Sequence, residues 1–131
     1  MALSTLRGLL IIAKKIYTIE LGSGVDMHGQ DVTKAAQRAV RDAISHQAMR
    51  GLFTLIGLGR ENRDAMLVDI TVATPFPEKV AVDQVSEELR HIPPERKTVK
   101  IVEGGLIVPV EHDPPVMAVA CVIVLVDTDK L

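Results

Sequence analysis

Leu21-Gly22-Ser23-Gly24-Val25-Asp26-Met27-His28-Gly29-Gln30-Asp31 is where one backbone period gives way to another. Just upstream, residues 15–21 alternate, with Ile16, Thr18 and Glu20 on one side and Tyr17, Ile19 and Leu21 on the other, which is the period of a strand. Downstream, Val32, Ala35, Ala36, Ala39, Val40, Ala43 and Ile44 recur at spacings of three and one, the apolar stripe of a helix, and Asp31 stands where an N-cap belongs. The glycines are expected to end the strand, to take positive φ and to let the backbone approach a ligand. The alanines leave the inner face of the helix free to come close to a sheet or to another subunit. Arg38 and Asp42 are spaced as an i,i+4 pair on its outer face.

Beyond that helix, which Gly51 is expected to end, residues 52–58 suggest a short helical piece and residues 66–74 a strand that Pro75-Phe76-Pro77 must stop. Val82, Val85 and Leu89, with Asp83 near the start, predict a second helix closed by Pro93-Pro94. Residues 98–102 and 106–110 are read as strands joined through Glu103-Gly104-Gly105 in an antiparallel hairpin. Residues 116–127 are almost purely aliphatic and should form the central strand. The order β-α-β-α-β-β-β predicts an α/β (α+β) two-layer sandwich, one mixed sheet with helices on one face. The first two strands should be parallel through a right-handed crossover, and the open face available for oligomer contacts.

Residues 15–131 form a single domain in this reading and residues 1–14 an extension. Leu3, Leu6, Leu9, Leu10, Ile11 and Ile12 make that extension apolar, either a helix or strand packing on a neighbour or an unstructured tail. The apolar run is too short to span a bilayer, and Lys14-Lys15 stand where a cleavage site would be needed.

The composition is 47% hydrophobic over 131 residues, yet Tyr17, Phe53 and Phe76 are the only aromatics, so the core must be aliphatic. Such an excess in so small a chain predicts a homo-oligomer. A net charge of −2, no basic stripe and few stacking side chains argue against nucleic acid as a partner. The lone Cys121 cannot form an internal disulfide and is read as a core thiol, which fits a reducing cytoplasm.

Asp26 and His28, two positions apart in an extended segment, should project to the same side, as two ligands of a divalent metal such as zinc or as an acid/base pair. A tight zinc site wants a third protein ligand. His46 lies roughly 22 Å along the helix from Asp31 at 1.5 Å per residue, so it could join them only across a subunit boundary, as could His91, His112 or Glu103. The rival reading has Asp26 accepting N–H bonds within its own turn and orienting His28. A glycine-rich turn feeding a helix N-terminus also suits a small anionic ligand, with Gly22, Gly24, Gly29, Gln30 and Lys34 as the residues that would hold it. Glu103, beside Gly104-Gly105, is a candidate general base or simply a turn residue. No Walker or dinucleotide fingerprint is present.

Gly22, Gly24, Asp26, His28 and Gly29 occupy every fixed position of the G-x-G-x-D-x-H-G signature of a conserved hypothetical family named after a Listeria protein, the Lin-type family, which this chain resembles. The likeness extends to Gln30-Asp31-Val32-Thr33-Lys34-Ala35-Ala36, to Val68-Asp69, to Glu78-Lys79-Val80 and to Val102-Glu103-Gly104-Gly105, and implies no particular reaction. More weakly, the segment is similar to methylerythritol cyclodiphosphate synthase, a trimeric zinc enzyme whose first strand ends in G-x-G-x-D-x-H. That resemblance implies a trimer and metal ligation by Asp26 and His28. Its His-Ser-Asp segment, which carries the third ligand, has no counterpart here, since Gly29-Gln30 runs straight into Asp31.

Two classes of function follow. One is a small-molecule enzyme with its site at a subunit interface, acting on an anionic metabolite. The other is a non-catalytic oligomeric binding or scaffold protein in which the glycine motif is a structural turn. Convergence of Asp26 and His28 in a pocket favours the first; Asp26 bonded within its own turn and His28 facing solvent favour the second.

Overall fold

The structure, a computed structural model, describes residues 14–45 and 50–131. The N-terminal extension up to residue 13 and His46 lie outside these. Strand β1 (Lys14–Asp26) does not stop at its glycines. It runs through both of them to Asp26, antiparallel to β5 (Val116–Asp127), with Gly22 opposite Ala120 and Gly24 opposite Ala118. The reason lies in the layer above. Helix α1 (Val32–Ser45) presses its backbone onto this part of β1, so a Cβ on Gly22 would come within 3.0 Å of Ala39 and Ala43, and one on Gly24 within 3.0 Å of Ala35 and Ala39. The close approach that these glycines permit is to the helix, not to a ligand. Within the motif, only Gly29 (φ 92) and Gln30 (φ 52) have positive φ.

Beside β5 on its other side lies β2 (Met66–Thr74), also antiparallel to it, and β3 (Lys97–Glu103) runs parallel to β2 at the far edge. The sheet order is β1-β5-β2-β3. β1 and β2 therefore run in the same direction, as expected, but β5 is inserted between them. The aliphatic strand is central, as its composition demands.

The expected hairpin at Gly104-Gly105 does not form. After β3 the chain crosses to β5, where β4 (Leu106–Ile107) pairs with Met117 and Val116, continuing along β5 from the point at which β2 gives way to Pro75. Gly104 donates its N–H to the Thr74 carbonyl at 3.2 Å, and Gly105 (φ 68) fits where a Cβ would strike the Met117 carbonyl. Regular strand stops at Ile107, short of the expected Val110, because Pro109 has no N–H to contribute.

Two short helices complete the second layer: α2 (Arg50–Thr54), which contains Gly51 rather than ending before it, and α3 (Val82–Ser86). A Cβ at Gly51 would meet the Tyr17 hydroxyl, which explains a glycine inside a helix. Polar contacts tie α3 to α1. The buried Thr33 hydroxyl accepts the Ala81 N–H at 2.9 Å, and Gln37 donates to the Gln84 carbonyl at 3.2 Å. Arg41 forms a forked pair with Glu88 at 2.8 and 3.2 Å, which holds its guanidinium above its ordinary pKa. Lys97 Nζ donates to the carbonyls of Ser86 and Leu89 at 3.0 and 2.9 Å, satisfying acceptors left free where that helical segment ends.

The core is aliphatic throughout: Val32, Ala35, Ala36, Ala39, Val40 and Ala43 of α1 meet Val68, Ile70 and Val72 of β2 and the alternate residues from Val116 to Val126 of β5. Among the described residues nothing covers the opposite face of the sheet. There Ile19, Leu21 and Val119 are 54%, 64% and 41% exposed, on the same side as Met117, Cys121, Ile123 and Leu125. Cys121 thus lies half-buried on the open face, not in the core between sheet and helices.

The tight β1–α1 contact makes a direct test. Gly24→Val should lower stability by about 2 kcal/mol or more, because the added side chain has no room against helix backbone. Gly59→Ala, at a position with no atom within 4 Å, should stay within about 0.5 kcal/mol of wild type. Urea denaturation of both proteins makes the comparison, and equal effects would contradict the packing role.

Candidate functional site

Strand pairing ends at Asp26, so the two-residue alternation expected to bring His28 alongside it is not continued. Asp26 turns inward under the start of α1, where it is 5% exposed. Its Oδ2 accepts the Asp31 N–H at 2.7 Å, and its Oδ1 lies 3.5 Å from Arg38 Nη1. The same Arg38 nitrogen donates to the Val25 carbonyl at 2.6 Å, and Asp42, one turn further along α1, accepts the Ser23 N–H at 2.9 Å. The two residues expected to pair on the outer face of the helix thus both reach down to β1. They clamp its last residues and, at Ser23, occupy an edge N–H that could otherwise pair with another strand.

His28 goes the other way. Its side chain is 89% exposed, and its Nδ1 lies 3.5 Å from Asp113 Oδ2. The Asp113 carboxylate also receives the Gly29 N–H, at 2.8 and 3.1 Å. Asp113 itself has positive φ (46°), a conformation that aspartate tolerates better than most residues, and precedes Pro114-Pro115. The expectation that Asp26 and His28 converge as two ligands is therefore corrected: one carboxylate is inside the fold, and the imidazole is outside it beside a different carboxylate.

The anion reading changes in a similar way. The N–H groups of the loop are real donors at the positive end of α1, but the chain supplies its own anions to them. Gly29 donates to Asp113, Asp31 to Asp26, and Lys34 to the capping carboxylate of Asp31 at 3.1 Å. Asp31 is the N-cap that the sequence predicts. The Lys34 side chain is exposed, and Gln30 takes the left-handed step of the turn.

Glu103 ends β3, level with Thr74, exposed beside Pro75 and Leu106. β1 and β3 are three strand spacings apart, roughly 14 Å, so Glu103 does not join Asp26 within one chain. Among the described residues no group of three or more His, Cys, Asp or Glu side chains gathers as a metal site needs. No helix among them is long and apolar enough to cross a membrane.

Sequence reasoning missed Asp113 and the inward role of Arg38. The Asp-Pro-Pro run marks a turn, but nothing local says that this turn meets Gly29, 84 residues away.

Among solved structures, a FtsZ-like protein of unknown function from Nostoc punctiforme is 38% identical, with a TM-score of 0.71 over 87% of this chain and 97% of its own. A comparison with curated proteins finds no match, and the likeness to methylerythritol cyclodiphosphate synthase finds no support there. The conserved hypothetical protein family Lin0512_fam matches residues 16–124, and the chain belongs to that family.

Proposed function

We propose that this protein acts as a non-catalytic homo-oligomer, a binding or scaffold protein in which the G-x-G-x-D-x-H-G segment is a structural turn and the open face of the sheet is the assembly surface. The observation that carries this reading is the commitment of Asp26: both carboxylate oxygens face groups of the same chain, while His28 faces solvent. A second copy is the occupant of choice for the open face because that face is aliphatic and contiguous. Leu21 lies opposite Cys121 and Ile19 opposite Ile123, with Val119 and Leu125 in line. Charged and hydroxyl groups stand mainly on its β2–β3 side, where the Thr98 hydroxyl meets Asp69 at 2.7 Å. Association driven by β1 and β5 would remove large exposed aliphatic side chains from water, at about 25 cal/mol per Å² of apolar surface buried.

One observation favours the enzyme reading as a second possibility. An exposed imidazole with a carboxylate at Nδ1 has its other nitrogen directed away from that carboxylate, the arrangement of a general base. In that reading a neighbouring subunit closes over His28 and Asp113 and supplies the rest of the site for an anionic metabolite. Zinc or another divalent metal on His28 belongs to this alternative.

Light scattering coupled to gel filtration tests the preferred reading. Wild type should run as a stable multimer at micromolar concentration, and Leu21→Lys combined with Val119→Lys should give a monomer with an unchanged circular dichroism spectrum. A wild-type monomer overturns the proposal.

The turn has its own test. Asp26→Ala strands the Asp31 N–H and leaves Arg38 without its acidic partner, so it should cost about 1–3 kcal/mol in urea denaturation. His28→Ala should change stability by less than about 0.5 kcal/mol. Stoichiometric metal in the purified protein, lost in both His28→Ala and Asp113→Asn, would instead establish the metal-dependent reading.

A further inference from the structure

At the other end of the sheet from the glycine motif is a cavity of about 500 Å³ between the segment that follows α2 and the turn before β3. Met66, on its wall, pairs with Val126, whereas Asp26 pairs with Val116. Ten residues of β5, roughly 33 Å, separate the two places. The volume falls within the range of small-molecule sites. Its floor is apolar, with Leu58 and Ile92 buried at 5% and 3% exposure.

The rim is of a different character. Arg60, Arg63, Arg96 and His91 all line the cavity, and among the described residues no aspartate or glutamate does, although the chain as a whole carries a net charge of −2. Arg96 donates to the Arg63 carbonyl and joins the two walls. Arg60, Arg63 and His91 have no ion pair among the described residues. Three arginines on the rim of one apolar floor, with no carboxylate in the lining among the described residues, make that rim positive and suited to an anion.

The walls are held in place by their own hydrogen bonds. Asn62 accepts the Gly59 N–H at 2.7 Å and donates to the Gly57 carbonyl at 3.3 Å, while the Leu58 N–H reaches the Leu52 carbonyl at 2.8 Å. A loop ordered by such contacts keeps its cationic residues near the cavity without a ligand, which lowers the entropy lost on binding.

We propose that this cavity binds a small organic carboxylate, with an aliphatic body on Leu58, Met66 and Ile92 and the carboxylate met by the Arg60 and Arg63 guanidinium groups. The chemistry of the lining selects this class. An inorganic anion would leave the apolar floor wet, and a neutral or cationic apolar molecule would leave the guanidinium groups unpaired or opposed. The site does not depend on assembly through the sheet face.

The test is an NMR titration of the full-length 15N-labelled protein with octanoate, with octanamide and octylamine as isosteric neutral and cationic probes. Octanoate should shift the amides of Gly59, Arg60 and Ile92 saturably, at least tenfold more tightly than octanamide, and octylamine should leave them unmoved. Arg60→Ala combined with Arg63→Ala, both exposed positions, should weaken octanoate at least tenfold while leaving the rest of the spectrum in place. Equal affinity for octanoate and octanamide, or octanoate shifts confined to the sheet face around Leu21 and Val119, would overturn the proposal. The wild-type comparison of probes stands even if the double variant fails to fold. A negative result here leaves the proposed assembly, which light scattering tests separately, untouched.

Discussion

The distance between α1 and β1 governs most of what this fold can do. A strand gives up conformational entropy to hold glycine in its interior, at about 0.5–1 kcal/mol relative to alanine, and β1 does so twice. What it obtains is a helix whose backbone rests on the strand: Gly22 and Gly24 face the backbone of Ala35, Ala39 and Ala43, with the Arg38 Cβ beside Gly24. At that separation Arg38 and Asp42 reach the strand's own carbonyl and N–H groups, and Asp26 arrives directly beneath the first turn of the helix. Larger residues at the two glycines would lift α1 and loosen all of these contacts together.

Seen from that contact, the signature residues divide by task. Gly22 and Gly24 are packing residues, Asp26 holds the Asp31 N–H, and Gly29 takes the positive φ that the turn needs while giving its N–H to Asp113. A helix N-terminus attracts anions, and here Asp31 and Asp26 meet that requirement from inside the chain. His28 is the exception. It is almost fully exposed, and among the described residues its close partner is the carboxylate of a distant loop. Any chemistry located in the motif would therefore centre on His28 and Asp113 rather than on Asp26.

Much of the fold was legible because local physics dominates where it was read. The alanine stripe specified α1, the Asp31 cap its start, Pro75 the end of β2, and the aliphatic run from Val116 to Asp127 the central strand. The errors arose where a residue type serves two ends. Gly22 and Gly24 read as strand breakers because a glycine in sequence does not say whether its missing side chain makes room for a turn or for a helix. Gly104-Gly105 read as a hairpin for the same reason, whereas it carries the chain from the parallel edge of the sheet over to β5. The candidate site was legible as a location but not as an arrangement. That Asp26 points in and His28 out depends on strand pairing ending between them, and Asp113 enters through a contact 84 residues away in the chain.

The sheet itself carries an asymmetry that bears on how the molecule works. A strand apolar on both faces is ordinarily covered on both. β5 is such a strand: its alternate residues from Val116 to Val126 lie under the helices, and Met117, Val119, Cys121, Ile123 and Leu125 on the reverse have no layer over them among the described residues. Its neighbours do not share this character equally. β1 continues the apolar surface with Ile19 and Leu21, whereas β2 and β3 interrupt it with Asp69, Thr71, Thr98 and Lys100. A covering surface matched to this pattern would lie along β1 and β5 and leave the β2–β3 side in water, where the Thr98 hydroxyl bonds to Asp69 and Lys100 stays hydrated. Burying that side as well would desolvate a carboxylate and an ammonium for little apolar gain, so the pattern of side chains favours a strip-like contact over a full face-to-face sandwich.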